Sequence, residues 1–309
     1  MNFTGLFCAV LLSTRVIAQD FPAQPVRVVV PFPPGGGADA LARLLGPKLA
    51  DLWGQQVIVE NKPGASGHIG ADFVARSPAD GYTLLMSSTA SLTAKNVDRF
   101  APLSLVSAAA YIVTAHPRVA AANIRELIAL ARASPAKLTF GSSGVGAASH
   151  LSAELFKSMA QVDLLHVPYK GTGQALTDLL AGQVDLLFAP SQTVLAHVKA
   201  GRLKALAVTG AKRSETLPEV PTVAESGLPG YQAVGWFGLL APAATPRAIV
   251  QKLSADVNRV LAQADTRAKM LAMGAAPGGN TPEEFGSFIR EDQAKWSRLM
   301  RQAGIQEPE

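Results

Sequence analysis

Six short stretches carry most of the chemistry this chain offers: PFPPGGGAD (31–39), NKPGASGH (61–68), SSTAS (87–91), GSSGVGAASH (141–150), PYKGTGQ (168–174) and APSQT (189–193). They share small side chains, hydroxyls and glycines at expected helix starts. Lys170 is the main cationic side chain among them, with Lys62 farther out. This set suits the holding of a small anion. The first N–H groups of a helix have no intrahelical partner and carry partial positive charge, so they can bind a carboxylate without arginine. Glycine removes the side chain that would block the approach. The donors expected are the hydroxyls of Ser66, Ser87, Ser88, Thr89, Ser142 and Ser143 and the amides of Gly36, Gly37, Gly144 and Gly146. Asp39, in a first helical turn, suits the dipole and either fixes its loop or meets a ligand's amine or hydroxyl. Ser149 and His150 start a helix beside a glycine loop, where His150 is expected to cap or to hydrogen-bond in the cleft.

Other chemistries fit less well. Gly35, Gly37 and Ala40 satisfy G-x-G-x-x-G/A, and Glu60 follows after a second apolar run, which on paper is a dinucleotide fingerprint. Yet PFPP separates the strand from the glycines, whereas the fingerprint wants its first glycine at the strand end. No Gly-Lys-Ser/Thr follows, so this turn is not a P-loop. G-x-S-x-G fails at Ser143, where Val145 replaces the last glycine, and at Ser66, where His68 does. H-E-x-x-H is absent, and His68, His116, His150, His166 and His197 lack metal-ligand spacing. No nucleophile–base pair is evident. Asp178 and Asp185 read as helix-end and strand-start residues rather than an acid/base pair. Trp53, Trp236 and Trp296 read as core or hinge packing. No cofactor and no metal is expected.

The elements that position these loops alternate. VRVVV, QVIVE, YTLLMSS, LTFGSS, LLHVPYK, VDLLFAP and LKALAVTG are short apolar runs without polar alternation. Helix-like segments with apolar residues three and four apart separate them, such as Leu176, Leu179 and Leu180. Buried parallel strands with crossover helices read this way, so the fold class is α/β with two mostly parallel sheets. Ligands of such sheets bind beyond the carboxyl ends of strands, where all six loops fall. LSLVSAAAYIVTAH (103–116) and YQAVGWFGLLAPAATP (231–246) are too long for ordinary interior strands. As two crossings bracketing an inserted domain, they predict two lobes with a cleft between them: residues 19–111 with 236–309, and residues 112–235. The last third is helical and is expected to pack on the first lobe. Thr245-Pro246 and Thr281-Pro282-Glu283-Glu284 each place a cap before an N1 proline, the second with a capping box.

The 309 residues carry a formal net charge of +5, scattered rather than clustered with aromatics, so no nucleic-acid partner is expected. Residues 1–18 read as a secretory signal cut after Ala18, despite the absence of Lys or Arg in the first five positions and the late Arg15. The only cysteine, Cys8, lies inside that segment, so the exported chain has no disulfide, thiol nucleophile or Cys-ligated zinc. An exported, cysteine-free protein without a further long apolar run fits a bacterial periplasm.

PFPPGGGADALARLL, VIVENKPGASGHIGADFVA, LTFGSSGVGAASHLSAELFKSMA, HVPYKGTGQALTDLLAGQVDLLF and WFGLLAPAATP, in order along nearly the whole exported chain, resemble the Bug family. These are the extracytoplasmic solute receptors of tripartite tricarboxylate transporters. The resemblance implies a type II periplasmic-binding-protein fold that closes on a small carboxylate, non-enzymatic and monomeric, with transporter membrane subunits or a sensor protein as partner. It places the ligand-binding loops at Phe32–Asp39, Gly64–Gly67, Ser87–Ser91, Ser142–His150, Tyr169–Gly171 and Ala189–Ser191, which adds Phe32, Ala65, Tyr169, Lys170, Ala189, Pro190 and Ser191 to the donors above. After SSTAS the chain is shorter than the family pattern, which puts ligand size and closure in question. His68 and Gln174 stand where asparagine and proline are common in the family. The alternatives are an enzyme on the same scaffold and a dinucleotide-binding oxidoreductase.

Overall fold

The run VRVVV forms β1 (Val26–Val30), with every residue buried except Arg27. A Pro/Gly turn leads to α1 (Gly37–Trp53), then β2 (Val57–Asn61), α2 (His68–Ala75) and β3 (Thr83–Ser88). In this computed structural model, which describes residues 21–304, β1 pairs in parallel with β2 on one side and β3 on the other. The edge strand β2 is only partly buried, as an edge requires.

β4 (Phe100–Ala115) is the long strand expected near 103–116, and its length has a structural reason. From Phe100 to Ala110 it runs antiparallel to β9 (Val234–Pro242), which itself pairs with β3. From Tyr111 to Ala115 it runs antiparallel to β7 (Leu186–Pro190), and over Ile112–Ala115 also to β8 (Lys204–Val208). One strand thus belongs to two sheets and changes partners between Ala110 and Tyr111. The second long run is shorter than expected as a strand, and β9 pairs with β3 and β4 alone. The second sheet is completed by β5 (Thr139–Ser142), parallel to β7 and to β6 (Leu165–Pro168). Among the named strands every antiparallel pair includes β4 or β9, whereas β1 with β2 and β3, and β5 with β6 and β7, are parallel.

Helices cover both faces of each sheet. α1 and α7 (Arg247–Ala262) share one core with β1, β3 and β9 through Leu41, Leu45, Val257 and Leu239. On the other face, α2 and the first half of α9 (Pro282–Ala303) bury Val74, Phe285 and Ile289 against Val29, Leu85 and Trp236. In the second lobe α3 (Ile124–Ala133) and α4 (Ala148–Ala160) pack on one face, with Leu127 and Phe156 on Phe188. α5 (Thr172–Leu180) and α6 (Ser191–Lys199) cover the other, with Leu179 and Val194 on Leu187. Between α7 and α9 lies the short α8 (Ala264–Ala272).

Two expectations change. The sequence assigned all of 236–309 to the first lobe, but Trp296, Leu299 and Met300 of α9 join the core of the second. Helical periodicity shows that a face is buried; it does not show against what. Thr245 is no helix cap. Its N–H donates to Pro242 O at 3.0 Å in a tight turn, and Pro246 takes the N-cap position with extended ψ of 136°. At α9 the capping box forms as expected, with Glu284 N–H donating to Thr281 Oγ1 at 3.2 Å and Thr281 N–H to Glu284 Oε2 at 2.8 Å.

Candidate functional site

The ends of β1, β3, β5 and β7 face one another across a cleft of about 370 Å³. Its first-lobe wall is Phe32, Gly36, Gly37, Ala38, Ser88 and Ala90; its second-lobe wall is Ser143, Ala147, Ala148, Thr172 and Pro190. Tyr111 of β4 and Phe237 of β9 form the floor where the lobes join. No lining residue is charged. Four helices begin here, and none is capped by its own side chain: the N-cap residues are Gly36 for α1, Ala147 for α4, Gly171 for α5 and Pro190 for α6. Of the other helices, α3 and α9 are capped by Asn123 and Thr281, while α2, α7 and α8 also lack a side-chain cap, so it is the meeting of four such starts at one cleft that marks the site. The free N–H groups of both lobes therefore point to one place, and a carboxylate there would meet donors on every side.

The lobes are closed in this structure. A Cβ on Gly171 would lie 2.8 Å from Pro33 Cδ, and one on Gly173 would lie 3.0 Å from Pro34 O. A Cβ on Gly144 would overlap Ser66 Oγ. Only glycine allows the two lobes this approach. Ala65 and Ser66 on the first-lobe side hold left-handed backbone, φ 45° and 54°, which costs energy in residues other than glycine and presents the Ser66 side chain to Gly144.

Several predicted residues act behind the cleft wall. Asp39 is buried, and its carboxylate accepts from Gly35 N–H at 3.1 Å, Arg43 Nε at 3.0 Å and Asn61 Nδ2 at 2.9 Å. Burial alone would raise its pKa, but these donors together hold it below the usual carboxylate range. Asp39 thus fixes the glycine turn. Ser87 Oγ shares a hydrogen bond of 2.9 Å with Ser91 Oγ, and Thr89 Oγ1 donates to Asp292 at 3.3 Å. Ser149 Oγ accepts from Ser143 N–H at 2.9 Å, and His150 Nδ1 accepts from Gly146 N–H at 3.2 Å, so both shape the 142–147 loop. Tyr169 Oη donates to Asp178 at 2.7 Å, Lys170 is exposed, Ala189 is buried in β7, and Ser191 Oγ reaches Ala110 O at 3.5 Å.

A Ser–His contact is present that the sequence did not suggest. Ser142 Oγ lies 2.6 Å from His166 Nε2, and the His166 ring stacks on that of His150 with centroids 4.0 Å apart. Burial pushes His150 down to about 3 and His166 to about 4, so both rings are neutral at pH 7. Ser142 has no exposed surface, and it also accepts from Gly144 N–H at 3.1 Å. A substrate carbonyl has no access to it, and the pair serves to lock the loop.

The family model described as "Tripartite tricarboxylate transporter family receptor" matches residues 41–305. Protein BugT of Bordetella pertussis is 36% identical over 312 residues, covering 97% of this chain and 96% of BugT. The chain belongs to this receptor family. Among solved structures, that of R. palustris Rpa4515 with adipate has a TM-score of 0.88 and 35% identity, covering 93% of this chain and 99% of that one. MatC (Rpa3494) from Rhodopseudomonas palustris with bound malate has a TM-score of 0.85 and 32% identity, covering 90% and 99%. The fold is the two-lobed type II fold of the Bug receptors.

Sequence reading missed several lining residues of this receptor's cleft. Ala38, Ala90, Ala147 and Ala148 carry no chemical signal beyond their small size. Thr172 follows Gly171 in a loop already singled out, so its hydroxyl was within reach of the same argument. Tyr111 and Phe237 sit in the two long apolar runs, where a lone phenol in a lobe crossing was the available cue. Burial pushes the Tyr111 phenol up, so it is present as a neutral O–H.

Proposed function

We propose that this receptor is a periplasmic solute-binding protein that closes on a small carboxylate. Its lobes are residues 19–111 with 236–309 and residues 112–235, with the end of α9 reaching across to pack on the second lobe, and it presents the closed, loaded form to transporter membrane subunits or to a sensor. The observation that carries this reading is the convergence of four helix N-termini without side-chain caps, from both lobes, on an uncharged cleft. The site loops named from the sequence then act in two ranks. Gly36, Gly37, Ser88, Ser143 and Thr172 face the ligand, and Asp39, Ser142, Ser149 and His150 hold the facing loops. The relatives with adipate and malate support the same ligand class. The ligand favours the closed state because only there do both sets of donors reach it. The protein is a receptor rather than an enzyme, since its serine–histidine pair is sealed. Export through a signal cut after Ala18 fits this role; that segment lies outside the described residues. Among the described residues no helix is long and apolar enough to cross a membrane.

A thermal unfolding screen against mono-, di- and tricarboxylates, with NADH as control, tests this. A ligand at 100 times its Kd adds about 2.7 kcal/mol, which raises the midpoint by about 5–10 °C for a chain of this size. A shift with a carboxylate and none with NADH is expected. A shift with NADH alone would revive the dinucleotide reading of Gly35-x-Gly37.

A further inference from the structure

A second space, also of about 370 Å³ and partly open to solvent, lies beside the cleft. It is walled by the short loop after β3 (Leu92, Thr93), by Leu151 of α4, and by Gln293, Trp296 and Met300 of α9. Ala90 lines both spaces, and Gly146 of the second adjoins Ala147 of the first in the chain. The two spaces therefore flank the same pair of loops, one from each lobe.

The walls differ from a second carboxylate site. No lining residue is charged, and only α4 starts beside it, with Gly146 just before its N-cap and Leu151 at the end of its first turn; α9 presents the side of its second half. Of the ionisable groups nearby, the Lys295 ammonium lies 4.8 Å from the centroid of the Trp296 ring and donates to Gln232 O at 3.1 Å, and Asp292 is turned into the protein, where it accepts from Trp236 Nε1 at 2.7 Å, Trp296 Nε1 at 2.8 Å and Thr89 Oγ1 at 3.3 Å. These bonds tie β9, α9 and the 89–94 loop together and set the shape of the cavity. Gln293 Nε2 is buried and has no hydrogen-bond partner. A second carboxylate placed here would lose its hydration at high cost, since no cation is part of the lining and the Lys295 ammonium is already hydrogen-bonded to Gln232. An apolar chain or ring would instead meet Leu92, Leu151, Trp296 and Met300, with one amide donor left for an acceptor at its end.

We propose that this cavity is a subsite for the far end of the ligand, and that the ligand is a monocarboxylic acid with an uncharged, largely apolar tail. This rests on the receptor reading above. The acid group sits among the four helix starts, and the tail passes Ala90 into the second space. The short loop after Ser91 provides the room.

The test is calorimetric titration of the purified protein with acetate, hexanoate, 3-phenylpropanoate and adipate. Each methylene placed in an apolar pocket is worth roughly tenfold or more, so hexanoate or 3-phenylpropanoate is expected to bind at least about a hundredfold tighter than acetate, and tighter than adipate. Ala94→Trp, on the exposed part of the loop, fills the cavity from one side, and Ser297→Trp fills it from α9. Either is expected to bring the ratio of tailed acid to acetate close to one. Ligand-free unfolding midpoints check that each variant is folded. Adipate binding more tightly than hexanoate, or a ratio that survives both variants, would overturn the subsite while leaving the receptor reading intact. Failure of every acid in the series to bind would overturn both.

Discussion

Gly173→Ala is expected to weaken carboxylate binding by about tenfold or more, corresponding to a coupling of 1–3 kcal/mol, without unfolding the protein. Gly173 lies in the first turn of α5. In a helix alanine is favoured over glycine by about 0.5–1 kcal/mol, so the second lobe alone gains from the change. In the closed form, however, the added methyl would sit 3.0 Å from Pro34 O and 3.3 Å from the Gly35 carbonyl carbon. These are backbone atoms of the opposing lobe and cannot rotate aside. The lobes must stay apart by a few tenths of an ångström, and the donors of one lobe lose contact with an anion held by the other. Calorimetry gives the affinity, and thermal unfolding without ligand gives the stability. Unchanged affinity would mean that the approach of 171–173 to 33–35 is not part of the binding state.

Acidification from pH 7 to pH 5 is expected to cost about 2 kcal/mol of stability through His150, with a smaller loss in the same direction through the more exposed His166. Both rings are neutral in the folded chain, at about 3 and about 4, against 6.5 for the free side chain. Above pH 6.5 neither folded nor unfolded chain binds the proton, and the rings add no pH dependence. Below 6.5 only the unfolded chain takes it up, so stability falls as the pH drops towards 4. Asp39 and Asp185, held below the usual range, lose their contribution at lower pH still. Asp292, raised by burial, acts in the opposite direction. His150→Gln separates these terms, since glutamine can still accept from Gly146 N–H but does not titrate. Urea unfolding at both pH values is expected to show a loss smaller by about 2 kcal/mol in the variant. An equal loss in both proteins would mean that His150 is not held neutral in the loop.

The alternation of apolar runs and helical patterns was enough to identify two α/β lobes, and the first overlong run marked where they join, since β4 belongs to both sheets; the second, β9, stays in the first sheet. Local chemistry was also legible where it acts within a few residues, as in the Thr281–Glu284 capping box. What was not legible arises from pairing between distant segments. Strand register sets His166 beside Phe140 and so beneath His150, which no spacing along the chain reveals. Asp39 looked equally suited to a ligand and to its own loop; Asn61, from the end of β2, decides for the loop. Ser88 and Ser142 are alike in sequence, each at the end of a strand. Only the first faces the cleft, because the neighbouring glycine turn folds back over the second. The end of α9 crosses to the second lobe for the same reason: its apolar face is evident, and its partner is not.

The receptor reading depends on an anion being held by helix starts rather than by cationic side chains or by shape. Its most direct test is calorimetric comparison of the best-bound acid with its primary amide, which has the same shape without the charge. If the four N-termini provide the recognition, the amide loses about a hundredfold in affinity or more, since hydrogen bonds to a charged group contribute about 1.5–3 kcal/mol each. An amide that binds as tightly as the acid would contradict a carboxylate site in this cleft.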